Sequence, residues 1–166
     1  MHPASWLCQP AAASPPSQQE LQAVLTRAEQ LRGRSSQMTS ALPGKSLGLL
    51  CTEPDSEDAR LFLQAARGLG AYVALVPSQV GAPQFGAVQL ARMGRLLGRL
   101  YDAVECQGMD LGAVRELGAA ANVPVYAGLA SPRHPIAGLA DRLDSAAPLL
   151  DRRRWLIQAA LLVTLA

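Results

Sequence analysis

Residues that could do chemistry are few in this chain, and they fall in a handful of places. His134 stands directly before Pro135. A histidine there is either a ligand contact or a structural hydrogen-bonding group at the start of a helix. Asp55, Glu57 and Asp58 flank Ser56. A hydroxyl among acids suits the first turn of a helix, where it caps backbone donors and complements the dipole, and three carboxylates repel anions. Arg152, Arg153 and Arg154 are too few for a membrane-surface or anion-binding patch and read as a solvated helix start. The glycines between Gly81 and Gly98 do not form a Gly-x-Gly-x-x-Gly fingerprint after a strand, which argues against a dinucleotide site. No Ser-His-Asp or Cys-His arrangement can be placed from spacing.

These groups must be positioned by regular elements, and the pattern for them is clear. Residues 1–16 are rich in Ala, Pro and Ser without periodicity and read as a flexible leader. Ser17 and Glu20 form a capping box before Leu21, Val24, Leu25, Ala28 and Leu31 at helical spacing, with Gly33 as the stop. From there short apolar runs alternate with helical patterns. Strands are expected at 46–51, 72–76, 103–105 and 123–126. Helices are expected from Asp55 or Ser56 to Leu69, over 87–100, from Asp110 to Ala121, and from Pro135 to about Leu143. Strands alternating with helices imply an α/β fold: a parallel sheet of about four strands in a three-layer α/β/α arrangement. This domain spans 17–150. Over 151–166 a closing helix, capped by Asp151, is apolar almost all round, so it must pack back on the domain.

Composition bounds the rest. The chain has 166 residues, 49% hydrophobic and 17% charged, enough for one domain with a real core and too apolar for disorder. Fifteen basic and thirteen acidic residues leave a net charge of +2, which argues against a dedicated nucleic-acid binder. The apolar run at 155–166 is shorter than the ~20 residues a bilayer requires, and no signal-peptide pattern opens the chain, so no membrane association is expected. Three cysteines, Cys8, Cys51 and Cys106, have no CxxC spacing. No disulfide framework or metal site is expected; Cys51 and Cys106 read as buried small hydrophobes, and the compartment as the cytoplasm.

Several short motifs are collinear with one known family. They are Leu42-Pro43-Gly44-Lys45-Ser46-Leu47-Gly48, Glu53-Pro54, Leu69-Gly70-Ala71, and Arg95-Leu96-Leu97-Gly98-Arg99 with Asp102-Ala103-Val104-Glu105. Val123-Pro124-Val125-Tyr126-Ala127-Gly128-Leu129, His134-Pro135 and Leu139-Ala140-Asp141 follow. Over 17–144 this order resembles the carbamoyl-phosphate-binding domain of the ornithine and aspartate carbamoyltransferases, the ornithine branch more closely. The resemblance implies a second domain for the amino-acid substrate, but few residues remain after Asp144. The closing segment resembles the family's returning helix, so the expectation is a first domain with the second deleted and that helix kept.

The same resemblance assigns candidate ligand-binding residues. The family's phosphate turn, Ser-Thr-Arg-Thr-Arg, aligns with Asp55-Ser56-Glu57-Asp58-Ala59, where Ser56 alone keeps a hydroxyl. Arg60 lies one place past the family's second arginine. Gln107 stands where an arginine is implied, and Ala137 where a glutamine is. His134 matches the histidine that contacts the carbamoyl oxygen and is the one matched catalytic-site residue. One like-charge pair at ~4 Å costs roughly 4 kcal/mol at an effective dielectric of 20. The expectation is therefore a module without catalytic activity of its own, acting in binding, structure or regulation. The alternative is a half-chain carbamoyltransferase completed by a partner polypeptide, for which a complete carbamoyltransferase is the candidate. No cofactor is implied. Self-association, as a trimer, is expected through the loop at 78–86, which has exchanged charge for Val80, Pro83 and Phe85.

Overall fold

The computed structural model describes residues 5–8, 16–34, 41–78, 85–144 and 146–166. Four strands form one parallel sheet: β1 (Ser46–Cys51), β2 (Tyr72–Pro77), β3 (Ala103–Gln107) and β4 (Val125–Ala127), in the order β2-β1-β3-β4. The central strands are nearly continuous apolar runs, because both faces of a parallel sheet are covered. Leu49 of β1 sits opposite Leu75 on one side and Glu105 on the other, and Glu105 is opposite Tyr126 of β4.

Alternation along the strands sends side chains into two cores. Leu47, Leu49, Val73, Ala103 and Tyr126 join one, with helices α2 (Gln18–Leu31), α3 (Glu57–Gly68) and α6 (Leu149–Leu165). Leu50, Val104, Cys106 and Val125 join the other, with α4 (Ala87–Leu100) and α5 (Leu111–Ala121). The layers are those expected. Cys51 and Cys106 are buried as predicted, and no helix among the described residues is long and apolar enough to cross a membrane.

Local signals set the helix starts. Ser17 and Glu20 make the full capping box, Ser56 accepts from the Ala59 amide, and Asp110 accepts from the Ala113 amide. Lys45 and Asp102, both in the family-like motifs, meet each other: Nζ lies 3.2 Å from Oδ1, while Asp102 Oδ2 accepts from the Ser46 amide at 2.8 Å. The pair aligns the starts of β1 and β3.

Four expectations are corrected. Residues 5–8, within the expected flexible leader, form helix α1 (Ser5–Cys8), with Trp6 5% and Leu7 0% exposed; the rest of 1–15 lies outside the described residues. Burial of a tryptophan and a leucine against the sheet outweighs the irregular composition of the segment. Residues Pro135–Arg142 form a 3-10 helix capped by His134. Helix α6 starts at Leu149 after Pro148, and Asp151 pairs with Arg154 at 2.9 Å. Finally, the arginine triplet is not a solvated start. Arg152 donates to the Ala140 carbonyl, and Arg153 to the Ala130 carbonyl at 2.6 Å.

Helix α6 is buried without interruption from Leu156 to Leu162, between α2, α3 and the 3-10 helix. The one polar residue in that run, Gln158, is satisfied by donating to the Ala65 carbonyl at 3.1 Å. On the opposite face, α4 reaches α5 only because Gly94 and Gly98 have no side chain. A Cβ there would fall on the carbonyl oxygens of Leu117 and Ala121.

Backbone cannot yield cheaply at that contact. Gly98→Ala should therefore destabilise the fold by about 1–3 kcal/mol, although alanine is the better helix former. Gly138→Ala, with nothing within 4 Å of the new methyl, should be close to neutral. Urea denaturation of the two variants checks this contrast.

Candidate functional site

At the carboxyl ends of β3 and β4 lies a cleft of about 650 Å³, lined by Asp58, Gln107, Ser131, Arg133 and His134 among others. In open parallel sheets this end of the strands is where ligands bind. Gln107 and His134 are brought together here. Ser56 caps α3 and Arg60 is exposed on it; neither lines the cleft. Among the described residues no group of three or more His, Cys, Asp or Glu could hold a metal ion.

A closed circuit of polar contacts reaches the cleft lining at Asp58 and Gln107. Glu105 of β3 is fully buried and receives the Leu129 amide at 3.1 Å, the Ala130 amide at 3.4 Å and Gln107 Nε2 at 3.2 Å. Gln107 Nε2 also donates to the Asp58 carbonyl at 3.2 Å. Arg153 of α6 closes the circuit, with its guanidinium on the Ala130 carbonyl and 3.5 Å from the Asp58 carboxylate. The donors of Gln107 are thus directed inward, and its Oε1 is buried without a partner. Arg153 is thus a cation at the first turn of α3 that Asp58 already holds.

His134 is 3% exposed and occupied at both ring nitrogens. The Ile136 amide donates to Nδ1 at 3.3 Å, which places the proton on Nε2. Nε2 then donates to the Leu7 carbonyl of α1 at 3.1 Å. Burial pushes the ring down to about 4 from its ordinary 6.5, against the opposing pull of the Leu7 carbonyl. Burial pushes Glu105 the other way, up to about 8 from 4.5, and the three donors only partly offset this.

Leu7, Glu105 and Arg153 escaped the sequence reading. Glu105 carried a signal: it and Gln107 are polar residues at period two in an apolar strand, so they share a buried face. Arg153 and Leu7 lie far along the chain from the sites they complete, and no local pattern points to them.

The two shifted groups act on stability in opposite directions. Folded His134 holds its proton less well than the unfolded chain, so its contribution is lost as pH falls from 6.5 to 4. Folded Glu105 holds its proton better, so its contribution is lost as pH rises from 4.5 through 8. The slopes oppose each other between 4.5 and 6.5. From 6.5 to 8 Glu105 acts alone, and stability should fall by up to about 1.4 kcal/mol per pH unit. Glu105→Gln should abolish this fall in urea melts. A wild type with no slope there, or a variant that retains it, would contradict the assignment.

The chain has relatives in both sequence and fold. It is 35% identical over 105 residues to the ornithine carbamoyltransferase of Actinobacillus pleuropneumoniae serotype 5b, a match over 61% of this chain and 30% of that protein. The chain therefore spans about a third of the curated relatives it matches. Ornithine carbamoyltransferase from Thermus thermophilus superposes with a TM-score of 0.60 at 30% identity, over 75% of this chain and 42% of that one. The Pyrococcus furiosus enzyme superposes at 0.62 with 24% identity, over 75% and 40%. No family model matches. Four parallel strands in the order β2-β1-β3-β4, the cleft at their carboxyl ends and these relatives agree: the chain is a carbamoyltransferase-like domain, similar to part of the ornithine carbamoyltransferases.

Proposed function

We propose that this carbamoyltransferase-like domain does not bind carbamoyl phosphate and acts in the cytoplasm as a binding or structural module without catalysis of its own. The observation that carries this reading is the start of α3. A phosphoryl dianion requires donors and cations at a helix N-terminus. Here the first turn presents Glu57 and Asp58, and the Ser56 hydroxyl oxygen caps the helix by accepting from the Ala59 amide. Arg153, the cation paired with this turn, is tied to Asp58 and to the Ala130 carbonyl, which leaves Arg133 as the cation lining the cleft.

The remaining candidates support the same reading. Arg60 lies outside the cleft. Gln107 carries no charge, and its amide donors are spent on Glu105 and Asp58. Transfer of a carbamoyl group depends on stabilising the departing phosphate, and the turn that would do so has like charge.

The resemblance also implies self-association, and a trimer is the assembly we favour. Most of the loop expected to mediate it, residues 79–84, lies outside the described residues. Tyr72 on the edge strand β2 is 81% exposed, and Leu96 and Leu100 on α4 are also exposed.

Titration calorimetry at low salt should show no heat with carbamoyl phosphate. A micromolar Kd, or turnover on mixing with an intact ornithine carbamoyltransferase inactivated at its own site, would overturn the non-catalytic reading. In sedimentation velocity the chain should run at the trimer mass; a single monomer species across a wide concentration range would end the proposal of a trimer.

A further inference from the structure

Most polar side chains at the carboxyl ends of β3 and β4 are engaged within the chain, but one is not. Arg133 lines the cleft and is exposed. Among the described residues no ion pair or hydrogen bond engages its guanidinium. Building on the reading of this domain as a binding module, we propose that the cleft takes a small monocarboxylate with an apolar body. The carboxylate sits on the Arg133 guanidinium, and the body lies along Met109, Leu111, Pro132 and Pro135.

The root of Arg133 is fixed by its own loop. The Ser131 amide donates to the Gly128 carbonyl at 2.8 Å, the His134 amide to the Ser131 carbonyl at 3.1 Å, and the Arg133 amide to Ser131 Oγ at 3.2 Å. Pro132 and Pro135 restrict the backbone on either side. His134, next in the chain, is buried and caps the 3-10 helix. The loop is therefore formed before a ligand arrives, and only the arginine side chain has to be ordered on binding.

Charge and shape select the ligand class together. A guanidinium presents paired N–H donors that match the two oxygens of a carboxylate. One such group suits one negative charge. A phosphoryl dianion needs further cations, and Asp58 lines the same cleft and repels it. An organic cation would meet Arg133 as a like charge. The apolar wall sets the rest of the ligand. Leu111 is 49% exposed at the start of α5, in a cleft whose volume of about 650 Å³ is typical of small-molecule sites. Met109, Pro132 and Pro135 extend that wall. An aliphatic chain laid along it removes apolar surface from water, which a bare anion does not.

Titration of the full chain with hexanoate, followed by proton–nitrogen NMR, tests the proposal. Hexanoate should shift the Ser131, Arg133 and Leu111 amides with a Kd on the order of a millimolar. Acetate lacks the body and hexanamide lacks the charge, so each should bind at least about tenfold more weakly. Arg133→Gln, at an exposed position, should keep the wild-type spectrum elsewhere and lose about tenfold or more in affinity for hexanoate. No shift of these amides at tens of millimolar hexanoate would overturn the proposal. So would acetate or hexanamide binding as tightly as hexanoate, or an Arg133→Gln variant that binds hexanoate unchanged. Carbamoyl phosphate is titrated separately: micromolar binding that survives Arg133→Gln would count against the non-catalytic reading alone.

Discussion

Everything at the carboxyl end of the sheet depends on one closed polar circuit. Asp58 on α3 meets Arg153 on α6; Arg153 meets the carbonyl of Ala130; Ala130 and Leu129 donate to Glu105; Gln107 ties Glu105 back to the carbonyl of Asp58. Each contact taken alone is ordinary. Together they join α3, β3, the loop after β4 and the closing helix at one point. A buried carboxyl or guanidinium is tolerated only when its partners are in place, so removing any member leaves another unsatisfied.

That circuit explains why Asp58 and Gln107, which line the cleft, and Arg153 beneath them serve the fold. A site for an anionic ligand keeps its cations and donors unpaired until the ligand arrives. Here Arg153 and the amide of Gln107 are spent within the chain, and the imidazole of His134 is spent on α1. The acids at the start of α3 have a further consequence. They complement the helix dipole, and Asp58 in addition gives Arg153 a counter-ion that lets a guanidinium sit largely buried in the core of the molecule. The same residues that make the turn unfit for a phosphate make it fit to hold the closing helix.

The closing helix shows the same division between local and distant causes. Its apolar circumference implied burial, and Leu156 to Leu162 are indeed buried on every side. The charge of its arginines suggests solvent, yet Arg152 and Arg153 turn back onto the fold. A long guanidinium stem can cross apolar surface and still reach an acceptor, and Arg153 does so at Ala130.

Periodicity and turn chemistry, which act over a few residues, were legible in the chain itself. The alternation of apolar runs with helical patterns determined a parallel α/β sheet. Ser17 with Glu20, Ser56 and Asp110 determined where helices begin, and the collinear motifs from Leu42 to Asp141 pointed to carbamoyltransferases. Tertiary structure alone decided which groups distant in the chain would be paired. Arg153 and Asp58 lie 95 residues apart, and His134 and Leu7 127 apart. No spacing rule links residues so distant. Their pairing follows from where the sheet order places β4, α3 and α6, and from the cost of leaving any buried donor or charge without a partner.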